Sequence, residues 1–235
     1  MNPFIVVTGG TKGIGKAIIY AFAAKGFDVF ANSRNEHELL ALKEEVDNAY
    51  ASTTLHYCAA DVSKLAEVKR LISEIKKLGR PVDVLVNNAG LFVPGAVSTE
   101  PEGNLEMMIE TNVYSAYHLT RGLLPDMTAK KSGHIFNICS TASIIPYING
   151  GSYCISKFAL LGMSKVLREE MKTLGIRVTA VLPGATLTAS WAGVDLPEER
   201  FIRAEDVAAA VLNAWEMSDR TVIEELLIRP QLGDI

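Results

Sequence analysis

The feature that most restricts what this chain can fold into is an alternation that runs almost from end to end. Apolar runs of strand length at 4–8 (FIVVT), 28–32 (DVFAN), 55–59 (LHYCA), 82–87 (VDVLVN), 134–139 (HIFNIC), 177–182 (RVTAVL) and 222–228 (VIEELLI) are separated by longer stretches. In those stretches, at about 14–25, 36–48, 64–78, 103–125, 153–174 and 204–217, apolar residues recur at helical spacing. Strands and helices in strict alternation build a parallel sheet, and runs with little polar alternation belong to strands covered on both faces. The last run carries Glu224 and Glu225, which suits an edge position. The expectation is an α/β fold, a doubly wound seven-stranded parallel sheet whose topology right-handed crossovers restrict to a few orders.

Composition supports one folded domain over residues 1–235. Hydrophobic residues make up 49% and charged residues 21%, the profile of a compact chain and not of a disordered one. No Pro/Ser-rich linker or low-complexity segment interrupts it. A net charge of −4 gives no electrostatic reason to expect nucleic acid or anionic membrane as a partner. MNPFIVVTGG has no basic leader and passes from a short apolar run into a glycine loop, so it reads as a first strand, and a cytoplasmic location is expected. Cys58, Cys139 and Cys154 lack CxxC spacing and predict reduced thiols. His37, His56, His118 and His134 are dispersed, so no metal site is expected.

Directly after the first strand comes TGGTKGIG, Thr8 to Gly15, leading into a helix. Gly9, Gly13 and Gly15 let the backbone turn, approach a pyrophosphate and pack the helix on the sheet. The N–H groups near Lys12, Gly13 and Ile14 would open the helix toward the anion. The second strand ends in Asn32-Ser33-Arg34, where a free adenosine ribose would usually meet a carboxylate; none is there. Arg34, with Ser33 beside it and Lys12 in the loop, instead offers cations for a 2′-phosphate, so NADP(H) is expected ahead of NAD(H). Asn35 followed by Glu38 has the spacing of a capping box.

NNAG (Asn87, Asn88, Ala89, Gly90) follows the fourth strand and NICSTAS, with Ser140, follows the fifth. Ligands of open α/β sheets sit outside the carboxyl ends of the strands, so both segments should border one crevice with the glycine loop. SYCISK then places Tyr153 and Lys157 four apart on one helical face. A tyrosine needs roughly 4 kcal/mol to ionise near neutrality, and a cation at about 4 Å contributes about that much at an effective dielectric near 20. Ser152 and Ser156 receive no role.

In order and spacing, TGGTKGIG, NNAG, Asn112, Ser140, Tyr153-x-x-x-Lys157 and Pro183-Gly184 resemble the short-chain dehydrogenase/reductase family over essentially the whole chain. Within it the sequence looks most like NADP-linked carbonyl reductases and 3-oxoacyl-carrier-protein reductases. The resemblance implies a single-domain Rossmann fold in which Tyr153 protonates a carbonyl oxygen as hydride arrives. Lys157 would support Tyr153 and hold the nicotinamide ribose, Ser140 would hold the substrate oxygen, and Asn112 would hold a proton-relay water. It further implies an adenine contact at Asp61-Val62, where a helix cap is the ordinary alternative. Asn87 and Gly90, with Ala89 between them, would lie near the adenosine and stabilise the central sheet, Pro183 and Gly184 would end the sixth strand, and Thr188, in preference to Thr186, would meet the nicotinamide amide.

The expected reaction is reduction of a ketone or aldehyde, free or on an acyl carrier. An NAD-linked alcohol dehydrogenase and a non-catalytic dinucleotide sensor are the alternatives. Segments 91–97, 143–151 and 189–203 should line the substrate site, and Phe92, Ile144, Tyr147 and Trp191 favour an apolar or aromatic carbonyl. By resemblance the helices at 103–125 and 153–174 would form a contact between subunits of a homodimer or homotetramer.

Overall fold

A computed structural model describes residues 1–188 and 195–235; residues 189–194, with Trp191, of the 189–203 segment expected to line the substrate site lie outside the described residues. The chain alternates β1 (Phe4–Thr8), α1 (Gly13–Ala23), β2 (Asp28–Ser33), α2 (Glu36–Ala49), β3 (Leu55–Ala59), α3 (Leu65–Lys76) and β4 (Val84–Asn87). It continues through α4 (Asn104–Ile109), a wide π turn (Glu110–Tyr114), α5 (Ser115–Lys130), β5 (Gly133–Ile138), α6 (Gly151–Met171), β6 (Ile176–Pro183), α7 (Ala204–Glu216) and β7 (Glu225–Ile228). All seven strands pair in parallel in the order β3-β2-β1-β4-β5-β6-β7. The order reverses between β1 and β4, which is where such a sheet opens a crevice for a ligand.

Strand side chains alternate between two cores. Ile5, Val7, Val29, Val84, Val86 and Phe136 pack under α1, α2 and α7 through Ile18, Phe22, Leu39, Leu42, Val207 and Val211. Their neighbours Phe4, Val6, Phe30, Leu85 and Ile135 pack under α3, α5 and α6 through Leu71, Ile75, Leu123, Met127 and Leu167. This period of two, with apolar residues on both sides, is why the strands read as near-continuous hydrophobic runs.

The boundaries differ from the sequence reading in three informative places. The helix expected at 103–125 is broken by the π turn that carries Asn112, and α5 then runs past Pro125 to Lys130. The lost hydrogen bond at Pro125 is offset by burying Met127 completely beneath the sheet. β7 is an edge strand, as its glutamates suggest, but it is shorter than 222–228: Ile223 and Glu224 give their carbonyls to Thr179 Oγ1 and Ala180 N and only Glu225–Ile228 enters the ladder. Asn35 does cap α2, accepting from His37 N and Glu38 N, but the reciprocal half of the box is missing. The Asn35 N–H donates to Ser33 Oγ, and the Glu38 carboxylate instead takes the Asn35 side-chain amide, Lys12 and Thr11.

Cys58, Cys139 and Cys154 are free and buried. No helix among the described residues is long and apolar enough to cross a membrane, and no three of their His, Cys, Asp or Glu side chains could hold a metal ion.

One buried titratable group makes stability depend on pH. His134, fully buried at the start of β5, is stacked on Phe136 with ring centroids 3.9 Å apart. Its Nε2 is 2.7 Å from Thr179 Oγ1, whose own proton goes to Ile223 O, so Nε2 carries the hydrogen and Nδ1 is left without a partner. Burial, with the Arg177 charge adding to it, drives the imidazole well below its ordinary 6.5. The unfolded chain therefore binds a proton that the folded one refuses, and the free energy of unfolding falls as pH drops below 6.5, by up to about 1.4 kcal/mol per unit. Urea unfolding between about pH 5 and 8 should show the parent losing stability faster than His134→Gln on the acid side. Parallel curves for the two proteins would remove His134 as the cause.

Candidate active site

The glycine loop is built as its sequence implies, and one residue outside it holds it in place. Gly9 and Gly13 take the left-handed region at φ 63° and 51°, and Lys12 caps α1 without a side-chain hydrogen bond, so the helix N-terminus is left to an external acceptor. Ile14 packs on the core below. Asn88 Nδ2 donates to Thr8 O at 2.9 Å and Gly9 O at 3.0 Å, and Thr8 Oγ1 accepts from Asn88 N and Ala89 N. Of the two parts expected of Asn87, stabilising the sheet is the one its side chain plays: the amide points into the helix–sheet interface, donating to Thr120 Oγ1 and Asn137 Oδ1. Its part is to tie β4 to β5 and α5, while Asn88 reaches the loop.

At the end of β2 the expected pair of free cations is altered. Lys12 Nζ lies 2.7 Å from the carboxylate of Glu38, which also accepts from Thr11 Oγ1 at 3.0 Å. Thr11 in turn reaches Ser33 Oγ at 3.3 Å, and Arg34 stands exposed beside them. Asp61, after β3, accepts from Ser63 N and Oγ. Burial pushes its carboxyl up, but those hydrogen bonds and the charges of Lys64 and Arg34 outweigh burial and hold it below the usual range. Val62 is buried behind it. The Asp61 side chain thus closes the turn into α3, close to the ordinary capping alternative.

The segment after β4, the π turn and α6 bring Gly90, Phe92, Asn112, Tyr153 and Lys157 together. Lys157, 5% exposed, donates to Ile138 O at 2.8 Å, which fixes α6 to the end of β5 just before Ser140. Its ammonium is 5.7 Å from the centre of the Tyr153 ring. Phe92 meets the same ring edge to face at 4.9 Å. Tyr147 is near enough for Tyr153 to add to the effect of burial, which pushes the Tyr147 phenol above its ordinary value. A Cβ added at Gly90 would lie 3.5 Å from both Lys157 Nζ and Asn112 Oδ1, so the glycine leaves room where these two groups meet. Ser140 Oγ accepts from Ala142 N, which leaves its hydroxyl proton available to an outside acceptor.

The serines given no role are structural partners of this cluster. Asn112 Oδ1 accepts from Leu91 N, and its amide donates to Leu91 O and, at 2.8 Å, to Ser156 Oγ; Ser156 Oγ then donates to Tyr153 O. Ser152 Oγ donates to the Glu100 carboxylate, which also faces Ser152 N at 3.4 Å. Glu100 supplies an acid at the start of α6, where Gly150 offers no side-chain cap. Gly95 bridges Gly150, so the segment after NNAG is clasped to the start of the tyrosine helix. Beyond β6, Gly184 N donates to Ile228 O and Thr186 Oγ1 turns back to Gly184 O, while Pro183 pairs with Ile228. Thr188 lies over the glycine loop, its Cγ2 2.9 Å from a Cβ built on Gly13. A cavity of about 710 Å³ between α1 and residues 198–206 touches Gly13 and Leu187, but Ser140, Tyr153 and Lys157 do not line it.

A parallel sheet whose order reverses beside a glycine loop, with helices packed on both faces, defines the doubly wound α/β class. The chain belongs to the short-chain dehydrogenase family, whose model matches residues 3–198, and it is an oxidoreductase of that family. It is 34% identical over 245 residues to a sepiapterin reductase of Chlorobaculum tepidum, covering 100% of this chain and 99% of the relative. It is 35% identical over 185 residues to an NADP-dependent 3-hydroxy acid dehydrogenase of Salmonella typhi, covering 77% of this chain and 71% of that protein. Among solved structures, a metagenomic short-chain oxidoreductase in complex with NADP superposes with a TM-score of 0.83 at 31% identity, covering 98% of both chains.

Proposed function

We propose that the protein reduces the carbonyl of a ketone or aldehyde to an alcohol with NADPH as hydride donor. The observation that carries this reading is Tyr153, set between the buried Lys157 ammonium and the Phe92 ring and on the helix tied to the strand end that bears Ser140. Two features fit the cofactor: the side-chain-free start of α1 behind left-handed glycines, and Thr188 packed against Gly13. Gly9, Gly13, Gly15 and Ile14 would hold the pyrophosphate, Ser33, Arg34 and Lys12 the 2′-phosphate, and Asp61, Val62, Ala89 and Gly90 the adenosine. Pro183, Gly184, Thr186 and Thr188 would border the nicotinamide. When bound, NADPH supplies a hydride.

Ser140 Oγ–H donates to the substrate oxygen, and Tyr153 gives that oxygen a proton as negative charge develops on it. Lys157 opposes the charge left on the tyrosine; a unit charge about 5 Å from another is worth roughly 3 kcal/mol at an effective dielectric near 20. Asn112 holds Leu91 and Ser156 in place behind the pair, with a lone pair of Oδ1 left toward the Gly90 gap. Phe92, Tyr147 and Ile144 offer a flat apolar wall, which supports an apolar or aromatic carbonyl, and the name of the Chlorobaculum relative puts a pterin ketone in that class. Segment 189–203 would complete the wall.

NADPH consumption should be measured against aryl ketones, a 3-oxoacyl thioester and sepiapterin, with melting temperatures recorded in NADP and NAD. Turnover of at least one carbonyl and stabilisation by NADP are expected. If no carbonyl is consumed and neither nucleotide raises the melting temperature, the reading is wrong. We also propose a cytoplasmic location and a homodimer or homotetramer; for the assembly, Tyr114 in the π turn, Tyr117 on α5 and Ile155, Phe158 and Val166 on α6 are exposed apolar residues. A monomer mass by light scattering at micromolar concentration would rule the assembly out.

A further inference from the structure

The end of β2 carries no carboxylate in the sequence, yet the fold brings one there from the first turn of α2. Glu38 binds Lys12 at 2.7 Å and Thr11 Oγ1 at 3.0 Å, both residues of the glycine loop, and Thr11 reaches Ser33 at the β2 end. Asn35 Nδ2 adds a contact at 3.3 Å. The hydrogen bond from Lys12, then that from Thr11, holds the Glu38 carboxyl below its usual range, so it is an anion at neutral pH. The Lys12 and Glu38 side chains are 65% and 31% exposed, which leaves the carboxylate within reach of a ligand and the pair open to exchange of partners.

We propose that Glu38 sets the choice between the two nucleotides: it accepts from the 2′-hydroxyl of a free adenosine ribose and competes with a 2′-phosphate for Lys12. This rests on the nucleotide binding proposed above. A carboxylate beside the adenosine ribose is the usual acceptor for that hydroxyl. A 2′-phosphate must draw Lys12 away from Glu38 and then lie close to a like charge. An exposed ion pair is weak enough to be exchanged, so Glu38 attenuates NADPH binding without excluding it, and NADH is admitted.

Dissociation constants for NADPH and NADH, measured by fluorescence titration of the intact protein, test this in the parent, Glu38→Gln and Lys12→Met. Melting temperatures without ligand verify that each variant is folded. For Glu38→Gln, NADPH should bind about fivefold tighter and NADH about fivefold weaker. For Lys12→Met, NADPH should weaken about fivefold while NADH stays within about twofold. If Glu38→Gln weakens NADPH, the glutamate only steadies Lys12 for the phosphate and the inference fails. It fails equally if that variant leaves both constants unchanged. A parent that binds neither nucleotide overturns this inference and the proposed reaction together; a parent that binds both, with a ratio indifferent to Glu38, overturns this inference alone.

Discussion

Replacing Tyr153 by phenylalanine is expected to lower kcat for the best carbonyl at least about 10²-fold, with nucleotide binding and stability little changed. The substitution removes one oxygen and almost nothing else. The ring keeps its edge-to-face contact with Phe92 at 4.9 Å and its position 5.7 Å from Lys157 Nζ. Ser156 holds the backbone carbonyl of Tyr153, which the substitution does not touch. An effect on kcat and kcat/KM alike would place the loss in the transition state, about 3 kcal/mol for a 10²-fold change. A rise in KM with kcat preserved would instead make the hydroxyl a binding group, and parent-like turnover would remove Tyr153 from the chemistry. The melting temperature separates these outcomes from simple unfolding, since a half-buried ring is retained.

The backbone of this site was legible because it rests on local signals. A glycine loop between a strand and a helix, apolar runs marking strand ends, and a tyrosine four residues before a lysine can each be read within a short window. What sequence reading missed is the set of side chains that meet across long separations. Thr11 and Glu38 are 27 residues apart, Asn112 and Ser156 are 44 apart, and Glu100 and Ser152 are 52 apart. No periodicity reports such partners, because each pair is set by which helix start faces which loop after the sheet has formed. The same limit explains Asn87 and Asn88: adjacent residues at a strand end point to opposite sides, and only the register with β1 decides which reaches the glycine loop. The π turn at Asn112 was hidden for a related reason. The residues around it suit an ordinary helix, and the widened turn goes with an amide clamped to Leu91 and Ser156.

Gly15→Ala should be strongly damaging to the glycine loop, although it adds a single methyl group. A Cβ at this position would lie 2.3 Å from Gly9 O and 2.5 Å from Asn88 Nδ2. The first obstacle is backbone and cannot swing aside, and the second is the amide that bonds Thr8 O and Gly9 O. Relief requires the glycine loop to move away from α1 or Asn88 to abandon those carbonyls. Overpacking together with lost hydrogen bonds should cost about 2–4 kcal/mol. In a domain of this size that lowers Tm by roughly 5–15 °C. Stabilisation by NADP should vanish as well, because the displaced segment is the proposed pyrophosphate cradle. The loop contains its own control: a Cβ at Gly10 would meet Ile19 Cδ1 at 2.6 Å, the far end of a flexible side chain. Gly10→Ala should therefore cost less and retain the response to nucleotide. Equal losses of Tm in the two variants, measured by calorimetry with and without NADP, would show that the loop tolerates no methyl group anywhere and that the contact with Gly9 O is not the deciding one.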